Sequence, residues 1–200
     1  MKRSLTLLGL CLFFLPLFSQ MGIGVGGSYV IPMNRNSEFY GANQGFKVYF
    51  TPDVSDDDLA WNFGFGYSKF QPRKEIFNTE TPNGVIGDVS FSNYTSVPVF
   101  AGADFKIKSR PISFFVGAYV GTNYIKYEVD SRDIWGRRTE NFSGLNVFFS
   151  PRVGANLVDT DRISIILDAQ YYATLNKKAG WIEDYVAFSL IFMYKTSVYM

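Results

Sequence analysis

Side chains of unlike character alternate with a period of two through almost the whole of this sequence, and that pattern most constrains its fold. Successive residues of a β-strand point to opposite faces, so the alternation marks strands with one apolar and one polar face. Within 142–157 the odd positions are Leu145, Val147, Phe149, Val153, Ala155 and Leu157; the even ones are Gly144, Asn146, Ser150, Arg152, Gly154 and Asn156. Ile163, Ile165, Leu167, Ala169 and Tyr171 then alternate with Ser164, Asp168, Gln170 and Thr174, as Trp61, Phe63, Phe65 and Tyr67 do with Asn62, Gly64, Gly66 and Ser68. No segment longer than a turn or two carries a helical stripe.

Eight such segments are expected, at 21–31, 43–50, 59–70, 89–107, 112–128, 142–157, 163–175 and 185–195. Longer links (32–42, 71–88, 129–141, 176–184) alternate with shorter ones (51–58, 108–111, 158–162), so long loops gather at one end of the sheet and tight turns at the other. Turn chemistry fills the short links, as in Lys108-Ser109-Arg110-Pro111 and Asp159-Thr160-Asp161-Arg162.

The chain opens on Met1-Lys2-Arg3 and an apolar run from Leu5 to Phe18, too short for a membrane-spanning helix and the size of a signal-peptide core. Residues 1–19 are read as a cleaved signal peptide and 20–200 as one domain. Cys11 is the one cysteine and falls within the leader, so the exported chain would hold together without disulfides. No later apolar run is long enough for a transmembrane helix.

The polar face decides between a soluble and a membrane barrel. A soluble barrel needs Lys, Glu and Asp on the face it turns to water. Here that face is mostly Gly, Ser, Asn, Gln and Tyr, with most charge in the links, which suits a narrow interior. The apolar faces carry Phe, Tyr, Trp, Val, Leu and Ile with no mid-span charge, as a lipid-facing surface requires. Aromatic residues make up 18 % of the chain and charged residues only 18 %, below the roughly 25 % of an ordinary soluble domain. Asn93, Thr95 and Thr122, polar residues on the lipid-side parity, fall near the long-loop ends, where Tyr29, Tyr67, Tyr124 and Tyr171 form a girdle. The fold class is therefore all-β, an eight-stranded antiparallel up-and-down transmembrane barrel. An even strand count places both termini in the periplasm and the long links outside.

Thr95-Ser96-Val97-Pro98-Val99-Phe100-Ala101-Gly102 resembles the fourth strand of the porin-family, OmpA-like outer-membrane barrels of Gram-negative bacteria. Val116-Gly117-Ala118-Tyr119-Val120-Gly121 resembles their Gly-rich fifth strand, and Tyr185 to Tyr194 their terminal strand. Thr196 to Met200 departs from the pattern, since such barrels often end on an aromatic residue. The resemblance implies residence in the bacterial outer membrane and identifies architecture, not activity.

Other motifs carry less. Gly22, Gly24 and Gly27 fit G-x-G-x-x-G, but that motif needs a strand before it and a helix after it. Asp53 with Asp56-Asp57-Asp58 does not match a calcium loop and reads as a solvated turn. Asn93-Tyr94-Thr95 and Asn141-Phe142-Ser143 are formal sequons without meaning in a bacterial host. Arg137-Arg138 and Lys177-Lys178 are exposed basic pairs that meet lipopolysaccharide phosphates or are solvated. With no histidine anywhere, a Ser/His/Asp or Cys/His site does not exist, and no catalytic, cofactor or metal residue is expected. A net charge of +1 excludes a nucleic-acid footprint.

Five charges fall on the inward parity: Lys47, Asp104, Lys106, Arg152 and Asp168. Centring the 158–162 turn on Thr160 places Arg152 directly opposite Asp168, as a structural ion pair inside the lumen. Lys47 is the alternative partner of Asp168 if it reaches across. An eight-stranded lumen is just wide enough for side chains to fill it. The function expected is structural or interactive, through the 71–88 and 129–141 links, and not enzymatic. The candidate partners are outer-membrane lipid, lipopolysaccharide and another outer-membrane or periplasmic protein. Two rivals stand beside it: a narrow porin-like transporter of small or apolar solutes, and a soluble, lipocalin-like binding protein.

Overall fold

The structure, a computed structural model, describes residues 20–34, 36–52, 58–80, 86–107, 112–133, 136–175 and 184–197. The strands are β1 (Gln20–Pro32), β2 (Asn43–Thr51), β3 (Leu59–Phe70), β4 (Phe77–Glu80), β5 (Ile86–Phe91), β6 (Tyr94–Ile107), β7 (Ser113–Asp133), β8 (Gly136–Asp159), β9 (Ile163–Thr174) and β10 (Asp184–Ser197). One helical turn, α1 (Asn36–Phe39), sits in the first long link. The expected signal peptide lies outside the described residues.

β1, β2, β3, β6, β7, β8, β9 and β10 form a closed antiparallel ring, shut by the pairing of β1 with β10 from Gln20↔Ser197 to Pro32↔Tyr185. Closure leaves no free strand edge within the membrane, where an unpaired backbone group has no water to meet. Followed round the ring, the register leaves β8 at Val153, passes Ala169, Phe188 and Tyr29, and comes back through Lys69, Thr95 and Lys126 to Ser143. That return point is ten residues up the same strand, a stagger that tilts the strands by about 40°.

Outward positions are apolar round the whole ring, among them Val25 on β1, Phe65 on β3, Val99 on β6, Val120 on β7, Leu167 on β9 and Leu190 on β10, all exposed. Inward positions hold buried Ser28, Asn62, Ser96, Asn123, Asn146 and Gln170. This is the inverse of a soluble barrel. On β7 the outward side chains change from Val120 and Tyr124 to Lys126 and Glu128, which marks where the strand leaves lipid.

Four expectations are corrected. The 89–107 segment is two strands: it breaks at Ser92-Asn93, and β5 turns away from the ring to pair with β4 and the top of β7. The 129–141 link is no loop, because β7 and β8 stay paired to Asp133↔Gly136. The last strand, expected over 185–195, runs from Asp184 to Ser197, opposite Gln20. Finally, the turn between β8 and β9 is centred between Asp161 and Arg162, with Asp159 opposite Ser164.

Two prolines interrupt the ladder where their missing N–H would have bonded. Pairing of β3 with β6 lapses between Phe65↔Val99 and Ser68↔Ser96, beside Pro98. Pairing of β8 with β9 lapses between Phe149↔Ala173 and Arg152↔Gln170, beside Pro151.

Candidate functional site

The lumen charges converge on one cluster. Arg152 Nε donates to Asp168 Oδ2 at 2.9 Å, and Nη1 donates to Asp104 Oδ2 at 2.6 Å and to the Tyr119 hydroxyl at 3.1 Å. From β2, Lys47 Nζ crosses to Asp168 Oδ1 at 3.4 Å and to Gln170 Oε1 at 3.0 Å. The guanidinium carbon lies 4.5 Å from the Tyr49 ring centroid and 4.6 Å from that of Phe115. Two cations and two anions, all buried, balance one another. Buried ions are tolerated only when paired in this way.

Arg152 and Asp168 thus meet, but not as direct opposites. Gln170 stands across from Arg152, and Gly154 from Asp168, because a bulge between Asn156 and Val158 and the later turn shift the register by two. An even shift keeps both side chains on the inner face. The long arginine spans the diagonal, a separation of about 7–8 Å between backbones. Nor do Lys47 and Arg152 compete for the carboxylate, since each takes one oxygen. Lys106 sits lower, lining a cavity of about 50 Å³ with Asn62, Asn156 and Lys195. The convergence of Asp104, Tyr49, Tyr119 and Gln170 was not read from sequence; their inward parity was the available signal.

Around and above the charges the lumen is packed with rings. Phe100 covers Gly64, Tyr119 covers Gly102, Phe148 covers Gly121 and Phe115 covers Gly154, so each large inward side chain rests over a neighbour without a Cβ. Gly117 makes the same room for the Asp104 carboxylate. Higher up, Tyr172 stacks on Tyr185 at 4.4 Å, and Phe70, Tyr94 and Tyr127 continue the fill. Gly22, Gly24 and Gly27 lie within β1, which runs on past them to Pro32, so no helix opens at these glycines. Of the acidic run only Asp58 is described, and no metal-holding cluster occurs among the described residues.

Beyond the membrane, β4, β5 and the tops of β7 and β8 make a four-stranded sheet. Its base is an aromatic cluster in which Phe91 packs on Phe39 at 5.1 Å, on Phe77 at 5.4 Å and on Tyr40 at 6.1 Å, while Phe142 stacks on Tyr127 at 5.0 Å. Near the tip, Arg137 and Asp130 form a bidentate pair, with Thr139 Oγ1 donating to Asp130 at 3.3 Å. The Arg137 hydrogen bonds hold the Asp130 carboxyl below its ordinary pKa. Arg138 pairs with Glu140 at 2.8 Å. The basic pair 137–138 is therefore engaged within the sheet, and Lys177-Lys178 lies outside the described residues.

The same ring of strands recurs in solved structures. Neisserial surface protein A aligns over 89 % of this chain and 97 % of its own, with 12 % identity and a TM-score of 0.53. This is the fold of the eight-stranded outer-membrane β-barrels. The N-terminal β-barrel domain of Pseudomonas aeruginosa OprF aligns over 89 % of this chain and 98 % of that domain (11 % identity, TM-score 0.50). The outer-membrane protein OprG of the same organism aligns over 90 % of this chain and 97 % of its own, at 10 % identity and a TM-score of 0.50. No protein-family model and no curated relative matches the sequence.

Proposed function

We propose that this chain is an exported outer-membrane barrel with a closed lumen that acts as an interaction protein through its extracellular sheet. One observation carries the reading: the two longest links, 71–88 and 129–141, contribute strands to a single projecting sheet over a lumen filled with side chains. A transporter would keep its bore open and its loops clear of the mouth. Here Gly41 N donates to Gln71 O at 2.9 Å and Arg73 N to Phe39 O at 2.8 Å, tying the first two extracellular links together over the opening. Among the described residues the sheet offers two edges for strand addition: β4 on one side, and on the other the part of β8 above Val147, beyond its last bond to the chain after β9.

Planar-bilayer recording tests the closed lumen, with no steady single-channel step expected; regular openings overturn it in favour of transport. A photo-crosslinking residue at Arg132 tests the sheet in intact cells. A discrete adduct is expected there and not from Thr160, and equal labelling at both positions counts against the reading.

A further inference from the structure

Lys69 on β3, Thr95 on β6 and Lys126 on β7 stand side by side in the ladder, Lys69 opposite Thr95 and Thr95 opposite Lys126. All three point outward, because their neighbours Phe70, Tyr94, Ser96, Ile125 and Tyr127 are buried inside. The two lysines are exposed, and neither has an ion pair among the described residues. Their Cα atoms are two strand spacings apart, about 10 Å, so both ammonium groups reach a phosphate held over the Thr95 hydroxyl. One step toward lipid, Tyr67 and Tyr124 flank Val97. The row therefore lies where the apolar band ends on the extracellular side.

Below it, from Val97 to Ala103, β6 presents only small outward side chains (Val97, Val99, Ala101 and Ala103), before Phe105 closes the run. On one flank stand the Trp61, Phe63 and Phe65 rings, and on the other Tyr124 with the shorter Thr122 and Val120 below it, all exposed. A furrow about 20 Å long thus descends from the cationic row, with β6 as its floor. Glu128, two residues above Lys126 on the same face, is the one anion adjoining the row on these strands. Its place above the lysines sends a phosphate to their lower, lipid side.

We propose that Lys69, Thr95 and Lys126 seat a phosphate of lipid A from the outer leaflet, with an acyl chain lying in the β6 furrow. Row and furrow together define the ligand: the row supplies charge-assisted hydrogen bonds to a phosphate, and the furrow takes a chain that inorganic phosphate lacks. Their position at the extracellular end of the band selects the outer leaflet. The assignment rests on the outer-membrane reading above and is independent of the role given to the projecting sheet.

Detergent-purified protein is titrated with lipid A, dephosphorylated lipid A, phosphatidylglycerol and inorganic phosphate, and lipid-bound species are read by native mass spectrometry. The barrel is checked in the same preparation by heat-modifiable migration, and its compartment by membrane fractionation, so failure of the outer-membrane reading shows separately. Lipid A is expected to bind, the other three to bind at least tenfold more weakly, and K69Q/K126Q to lose about 30-fold in affinity. K74Q, off the row, is expected to bind as the parent does, while A101F weakens binding by filling the furrow with both lysines in place. An unchanged affinity in a correctly folded K69Q/K126Q protein overturns the proposal. Equal binding of phosphatidylglycerol, or full competition by inorganic phosphate, does so too.

Discussion

The Ser150 hydroxyl donates to the backbone carbonyl of Tyr171 at 2.7 Å, filling the place of the N–H that Pro151 lacks. The two strands would otherwise leave a carbonyl unbonded where Ser150 is fully buried. Ser150→Ala is expected to destabilise the barrel by about 1–3 kcal/mol. Pro151→Ala restores an N–H at the same point, so the double variant should recover most of that loss. Urea unfolding in detergent followed by tryptophan fluorescence measures both; additive losses would show that the hydroxyl does not substitute for the missing donor.

Arg152 holds two carboxylates at once, so its removal leaves Asp104 and Asp168 facing each other with Lys47 alone to balance them. Arg152→Met is expected to cost about 3–5 kcal/mol. Adding Asp104→Asn removes the stranded charge and should return part of that stability. The temperature at which the folded gel band converts to the unfolded one gives the ranking.

Asp184 fastens the long-link end of the barrel's closing seam. Its carboxylate accepts from Asn34 Nδ2 at 2.9 Å, the Tyr171 hydroxyl at 2.8 Å and Thr174 N at 3.0 Å. Asp184→Ala should leave the barrel folded but speed amide exchange at residues 30–31 and 172–174, by an amount matching a local loss of about 1–2 kcal/mol. Hydrogen exchange with mass spectrometry reads it.

At the sheet tip, Arg137 holds the Asp130 carboxyl below its ordinary pKa. A depressed folded-state value means that the pair's contribution is present above the unfolded value and fades as pH falls through the folded one. The tip should therefore fray on acidification below the usual carboxylate range, while the membrane ring stays closed. Amide exchange at 130–139 across a pH series, corrected for intrinsic rates, checks this. Arg137→Gln should move the onset of fraying to higher pH.

Orientation gives a labelling test. Cysteine placed by Arg138→Cys should react with an impermeant maleimide on intact cells, and cysteine placed by Asp161→Cys only after the outer membrane is opened. The reverse pattern would invert the topology.

The membrane ring was legible because lipid imposes one rule on every outward position, and Val147, Phe149 and Val153 obey it as plainly as Phe63 and Phe65 do. Above the rim that rule stops. Lys126, Glu128, Asp130 and Arg132 meet water on the outer face, so a strand continuing there reads as a charged loop. The inward Tyr127 and Val129 were the remaining trace of it. Parity brought Arg152 and Asp168 to one face, yet their register depended on the bulge between Asn156 and Val158, which no Gly or Pro announces. Asp104 was legible as an inward charge, but its arginine lies two strands away, with β7 between them.

The pairing of β1 with β10 gives the barrel a built-in test of completeness. Its first strand finds this partner only in β10, the ring strand farthest from it along the chain, and until then two sheet edges stand open. A chain cut short anywhere before Asp184 keeps those edges and has no means of satisfying them in hydrocarbon. Entry into the membrane is in this sense all-or-none with respect to length: only a chain that includes β10 removes its own barrier to insertion.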